Sequence, residues 1–328
     1  MQLVINTYGA YLHIKDEMFE VIIKKDGKTA KHYFSAKKVK SILMSKSTAM
    51  SSDAIILAVK NNIDIVILEH NGMPVGRFWH SRPGSTTKIR KKQLEASVGK
   101  TGVKWIKTWL SQKLQNQIDF LKRLKKHRDQ KADEIQQTID QITGLRDKIH
   151  EAEAEKITDI EDSLRGWEGT AGRIYFQQLS SLLVPKYRFN GRSYRPAEDP
   201  FNAFLNYAYG ILYSRVEKAL VLAGLDPYTG FMHRDDYNTK SLVFDFIEPY
   251  RIIAEEVVFK LFSAKKVNDS HTDKITNGYS LNTDGKALLT QRFFKFFEEE
   301  KIRYKGRNQS RANAMQMDAH QFANSLIK

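Results

Sequence analysis

Apolar positions along the chain change their period near residue 80. Before it, short runs such as YLHI (11–14), FEVIIKK (19–25), KTAKHYF (28–34) and IDIVILE (63–69) fit strands. Asp26-Gly27 and Asn71-Gly72, pairs that favour tight hairpin turns, separate them, and PVGRFW (74–79) is the last strand. One helix interrupts the pattern: Ser51-Ser52-Asp53 supplies capping oxygens ahead of AIILAVKNN. Residues 1–80 therefore predict a small β-domain. HSRPGSTTKIRKKQ (80–93) is rich in structure breakers and basic side chains, which makes it the linker candidate, and 81–100 is assigned to linker and helix. From there the spacing becomes helical. Val103, Ile106, Leu110, Leu114, Ile118 and Leu121 recur every three or four residues, as do Ile135, Ile139, Ile142 and Ile149. The chain then reads as helical between marked breaks to its end, so residues 101–328 predict an all-α domain. The fold class expected is α+β, a small N-terminal β-domain followed by a larger all-α one.

Polar residues set in this apolar register are the candidates for chemistry. In SLRGWEGTAGRIYFQQLSSLL (163–183) Glu168 sits at the edge of the apolar face, with Ala171 and Gly172 three and four residues on. Gly169 and Gly172 each weaken a helix by up to ~1 kcal/mol relative to Ala. Close approach of another group, or helix packing through small residues, would account for them equally. SLVFDFIEPYR (241–251) puts Asp245 and Glu248 on one face of an almost wholly apolar segment. Carboxylates there need protonation, a charged partner or a metal. Arg251 is the obvious partner, and it accounts for one acid more easily than for two. GLDPYTGFMH (224–233) is a punctuated turn delivering His233, open to reading as a ligand, a base or a loop residue. Asp199-Pro200 opens a further helix, whose Asn202, Asn206 and Tyr209 read as architectural.

Composition narrows the setting. Cysteine is absent, which excludes disulfides and thiolate metal sites and leaves His, Asp and Glu as ligands. No apolar run reaches the ~18 residues that cross a bilayer, and MQLVINTYG lacks the features of a signal peptide, so a cytoplasmic protein is expected. The formal net charge of +15 favours a polyanionic partner, most often nucleic acid. Phosphate-cradling glycine loops, HExxH and serine elbows are all missing.

LRGWEGTAGRIYF, RPAEDPFNAFLNYAYGIL, GLDPYTGFMH and SLVFDFIEPYR, in this order, closely resemble the CRISPR-associated protein 1 family. The likeness extends to NGMPVGRFW and to the tail pattern LNTDGKALL…NQSRANAMQMDAHQFANSLI. It implies a β-domain that dimerises and a helical catalytic domain. It also implies a homodimer, two of which clamp a dimer of CRISPR-associated protein 2. The implied activity is divalent-metal-dependent DNA integration and endonuclease cleavage. Prespacer 3′-hydroxyls are joined to the repeat of a CRISPR array by transesterification, the DNA partners being the prespacer and the repeat. By motif position the metal ligands and catalytic residues are Glu168, His233 and Glu248, with Asp245 supporting. Two carboxylates and an imidazole suit Mg²⁺ or Mn²⁺, the nitrogen favouring Mn²⁺ somewhat. Arg234 and Arg251, beside ligand positions, are candidates for holding DNA phosphate. Two alternatives stand beside this: a structure-selective DNA nuclease without integration, and a basic DNA-binding scaffold whose acids are structural.

Overall fold

A computed structural model of the chain describes residues 1–25, 27–61, 63–69, 74–78, 86–233 and 239–328. Asp26, Asn71 and Gly72 of the expected turns, residues 80–85 of the linker stretch, and Arg234 lie outside the described residues. The chain divides into two compact units, Met1–Gly84 and Ser85–Lys328.

The first unit runs β1 (Gln2–Ile5), β2 (Tyr11–Lys15), β3 (Met18–Lys25), β4 (Lys28–Ser35), β5 (Ser41–Ser45), β6 (Ala49–Met50), α1 (Ser52–Lys60), β7 (Asp64–Leu68) and β8 (Pro74–Phe78). Two four-stranded sheets result, one ordered β4-β3-β2-β6 and the other β1-β5-β7-β8. The antiparallel β2–β3–β4 ribbon follows the hairpin reading of the sequence. The second sheet departs from it, because β1, β5 and β7 pair in parallel. SILMS and DIVIL are almost continuously buried, as strands covered on both faces must be, and α1 belongs to the crossover that a parallel pair requires. Ser51 caps α1 by accepting from the Ala54 amide at 3.2 Å. Leu12, Phe19, Ile42, Ala54 and Ile65 are fully buried between these layers.

The second unit is mostly helical: α2 (Thr86–Ser97), α3 (Lys100–Lys125), α4 (Ala132–Glu151), α5 (Glu161–Ser181), α6 (Pro200–Leu222), α7 (Ser241–Phe246), α8 (Arg251–Ser263), α9 (Thr283–Phe294) and α10 (Arg311–Ile327). Every apolar position that predicted α3 is buried, and α3 packs along α4. Asp199 caps α6 by accepting from Asn202 N at 2.8 Å, and α6 is buried nearly all round. Two details refine these readings. Within the stretch assigned to linker and helix, α2 begins at Thr86, and Gln93 anchors it to the body of the unit. The helical unit also carries two small hairpins. Hairpins β9–β10 (Thr272–Ile275, Gly278–Leu281) and β11–β12 (Lys301–Tyr304, Arg307–Ser310) interrupt it. Their turns use positive φ at Asn277 (62°) and at Lys305 and Gly306 (46° and 79°), the geometry that reverses a twisted ribbon in two residues. Among the described residues no helix is long and apolar enough to cross a membrane.

Candidate active site

The site forms where α3, α5 and the α7–α8 segment meet. After α7, Pro249 breaks the helix into a single 3-10 turn, Glu248–Tyr250, before α8 begins. From α3, Asn116 Nδ2 donates to the Pro249 carbonyl at 2.7 Å and fixes that turn. Glu248 is thereby held against α3 with only 7% of its side chain exposed.

Lys113, a residue that pattern reading passed over, fills the centre. Its ammonium donates to Glu248 Oε2 at 2.6 Å and also to Glu168 Oε1, joining acids from two separate elements. Arg251 Nε donates to the other oxygen, Glu248 Oε1, at 2.8 Å, and its NH2 reaches the Tyr213 hydroxyl at 3.2 Å. The Arg251 guanidinium also lies over the Tyr209 ring, 5.0 Å from its centroid. Burial disfavours the Glu248 carboxylate, but the Arg251 and Lys113 charges outweigh it and bring its pKa down to about 2. Burial likewise works against charge on Lys113, and Glu248 and Glu168 reverse that, leaving its pKa above the ordinary lysine value. Glu168 is the open member of the cluster, 30% exposed. A Cβ added at Gly172 would sit 4.0 Å from Glu168 Oε1, an ordinary van der Waals contact.

Asp245 serves a different purpose. Fully buried, it accepts from the amides of Phe231 (2.6 Å), Met232 (3.2 Å) and His233 (3.2 Å), and meets His233 Nδ1 at 2.7 Å. Three backbone donors and an imidazole thus converge on one carboxylate. The histidine turn is built for this. Any side chain at Gly230 would strike Ser241 at 2.5 Å and the His233 carbonyl at 2.7 Å. Phe231 is buried and stacked on Trp109, with ring centroids 6.0 Å apart. Gln93, buried on α2, donates to the Asp226 and Thr229 carbonyls at 2.9 and 2.7 Å and accepts from the Asp226 amide. Arg165 donates to the Met232 carbonyl at 3.2 Å.

Of the residues singled out in the sequence, Glu168 and Glu248 meet on Lys113, while His233 pairs with Asp245, three residues before Glu248. Among the described residues no group of three or more His, Asp and Glu is gathered tightly enough to enclose a metal. The donor set nonetheless suits a hard divalent cation: two carboxylates, and an imidazole whose Nδ1 is held by a carboxylate so that Nε2 is left for ligation. The carboxylates already share one cation. Asn202 and Asn206 are architectural as expected, bonding Arg192 and the carbonyls of Gly191, Ser193 and Tyr194. Tyr209 donates to the buried Glu255 at 2.8 Å.

Elsewhere in this unit an open groove of about 1020 Å³ runs between α3 and α4, lined by Lys104, Lys107 and Arg146, by Lys100 paired with Glu155 at 2.6 Å, and by Glu153.

Residues 3–295 match the model of the family described as CRISPR associated protein Cas1. The CRISPR-associated endonuclease Cas1 1 of Archaeoglobus fulgidus is 34% identical over 319 residues, spanning 94% of this chain and 91% of its own. Among solved structures, a casposase bound to integration product superposes with a TM-score of 0.83 at 20% identity, covering 99% of this chain and 90% of that one. A Cas6-RT-Cas1–Cas2 complex gives 0.78 at 22% identity, over 99% of this chain and 35% of that chain.

Proposed function

The chain belongs to the CRISPR-associated protein Cas1 family, and on that premise we propose that it is a divalent-metal-dependent DNA integrase and endonuclease of CRISPR adaptation. It joins prespacer 3′-hydroxyl ends to the repeat of a CRISPR array by transesterification. One observation carries this reading. Two acids far apart in sequence are drawn onto one cation, and Asp245, on the same segment as the second acid, orients the imidazole of His233.

In this reading Glu168, His233 and Glu248 hold Mg²⁺ or Mn²⁺, His233 through Nε2. When bound, such an ion polarises the scissile phosphate and stabilises the departing 3′-oxygen. Asp245 accepts from Nδ1 and so would leave Nε2 as the ligating nitrogen. Arg251 braces Glu248 and is the described candidate for holding a phosphate oxygen. The net charge of +15 and the basic groove between α3 and α4 support a DNA backbone as the partner. A homodimer through the first unit is supported by β8, an edge strand with exposed Val75 and Phe78. Assembly with a Cas2 dimer follows the likeness to the Cas1–Cas2 complex, and a cytoplasmic setting follows from these partners.

The test supplies the purified chain and its cognate Cas2 with a 3′-hydroxyl prespacer duplex and a repeat-containing plasmid, with and without Mn²⁺. Covalent prespacer–repeat products that need the ion are expected. Cleavage of branched DNA without joining would make the protein a structure-selective nuclease. An intact fold that neither joins nor cuts would make it a scaffold. Light scattering on the free protein is expected to report a dimer, and a strict monomer at micromolar concentration would refute that element.

A further inference from the structure

Lys113 is out of place by ordinary rules. Lysine is rarely buried, yet this side chain is 9% exposed and lies between two carboxylates that the proposed function assigns to a metal. The charges of the cluster already balance, Glu168 and Glu248 against Lys113 and Arg251. The buried acid behind them, Glu255, is engaged by the Tyr209 hydroxyl at 2.8 Å, and burial raises its pKa above the ordinary carboxylate value. A divalent ion entering a balanced, largely buried cluster would leave it two charges in excess, which burial makes costly. The two cations differ in how easily they could give way. Arg251 is fixed by a planar fork shared between Glu248 and Tyr213 and by stacking on Tyr209. Lys113 is a compact ammonium on a flexible stem, able to leave by side-chain rotation alone.

We propose that Lys113 is a tethered substitute for the catalytic cation: it holds Glu168 and Glu248 together before metal binds, and it withdraws from between them when the ion enters. This rests on the reading of Glu168 and Glu248 as metal ligands. Two consequences follow. The ion alone competes with an attached ammonium and so binds weakly. A DNA phosphodiester, arriving with negative charge, relieves the excess, so metal and DNA reinforce each other's binding. The site is thus protected from loading with metal in the absence of its substrate.

Calorimetric titration of Mn²⁺ into the full-length protein without DNA tests the first consequence. Lys113→Met is expected to bind the ion about tenfold tighter than wild type, the scale on which groups beside metal ligands act. Its melting temperature should also rise more on adding Mn²⁺. Lys113→Arg, which keeps a cation in place, should show no gain. Equal or weaker binding by Lys113→Met overturns the proposal. Because removing Lys113 leaves two carboxylates facing each other and could prevent folding, a second measurement uses wild type alone. Acetic anhydride labelling of Lys113, read by mass spectrometry, should increase several-fold under saturating Mg²⁺, and unchanged labelling overturns the proposal equally. Glu248→Ala separates the two levels of inference. If it loses Mn²⁺ while Lys113→Met binds no tighter, only the role of Lys113 falls. If it binds Mn²⁺ as wild type does, the ligand assignment falls and this proposal with it.

Discussion

Asp245 and Glu248 stand three residues apart, yet Asp245 is surrounded by backbone amides of a neighbouring loop and Glu248 by side-chain cations. Around Asp245 the donors are fixed in number and direction, and the carboxylate exists to fix a shape: the histidine turn. Around Glu248 they are side-chain charges, Lys113 from α3 and Arg251 from α8, and the balance can be altered by whatever else enters. Burial alone does not tell an acid held by backbone from an acid held by side-chain charge. The nature of the partners does.

The sharpest way to break the comparison is to remove each acid. Glu248→Ala leaves Lys113 and Arg251 as buried cations sharing no carboxylate between them. Loss of one partner from a buried ion pair costs about 3–5 kcal/mol, so urea denaturation should show a drop of that order. Mn²⁺-dependent joining should vanish on a gel assay. Asp245→Asn should act more gently. The amide can still accept from part of the histidine turn but must present N–H groups to the rest. Metal binding by calorimetry should survive, with the joining rate lowered ~10–100-fold. If Asp245→Asn loses the ion and Glu248→Ala keeps it, the two roles are reversed.

Acid titration examines the same contrast through stability. The Arg251 and Lys113 charges push the Glu248 carboxyl down to about 2, against an ordinary value of 4.5. A depressed carboxyl contributes stability that is complete above pH 4.5 and is lost as pH falls through 2. At about 1.4 kcal/mol per pKa unit, the contribution is roughly 3 kcal/mol. Denaturation midpoints measured between pH 6 and pH 2 should therefore fall, and Glu248→Gln should flatten that part of the curve. An unchanged slope in Glu248→Gln would show that its charge partners do little for the fold.

The smallest effect belongs to the groove. Replacing Lys104 or Lys107 with Ala should weaken duplex binding only a few-fold and reduce the salt slope of log affinity by about 0.9 for each phosphate no longer neutralised. Fluorescence anisotropy at several salt concentrations measures this. A slope identical to wild type would move the DNA away from this groove.

Much of this was legible in the sequence alone. Helix α3 announced itself by its apolar spacing and α6 by Asp199-Pro200; Glu168, His233, Asp245 and Glu248 were candidates by motif position, and the structure joins Glu168 to Glu248 through Lys113 and His233 to Asp245. Lys113 was missed, although a signal existed. It lies three residues beyond Leu110 and four before Gln117, on the buried side of an apolar helix where a cation needs a reason. Its partners are 55 and 135 residues away, and periodicity reports only local neighbours. Gln93 was hidden for a related reason. The basic, breaker-rich flank suggested a linker, and only tertiary contact shows that it grips the histidine turn. The hairpins after residue 271 carried readable turn pairs, Asn277-Gly278 and Lys305-Gly306, overridden by the helical trend around them.

The separation of 135 residues between Lys113 and Glu248 also bears on how the protein is born. Chains emerge from the ribosome N-terminus first, and a contact of this span closes only when the whole intervening sequence is available to fold. The basic stretches at 88–92 and 121–131 are synthesised well before the segment carrying Asp245 and Glu248. A nascent or prematurely terminated chain can therefore carry the means to cling to DNA while lacking both acids. The order of residues along the gene leaves an unfinished molecule basic but without the proposed site.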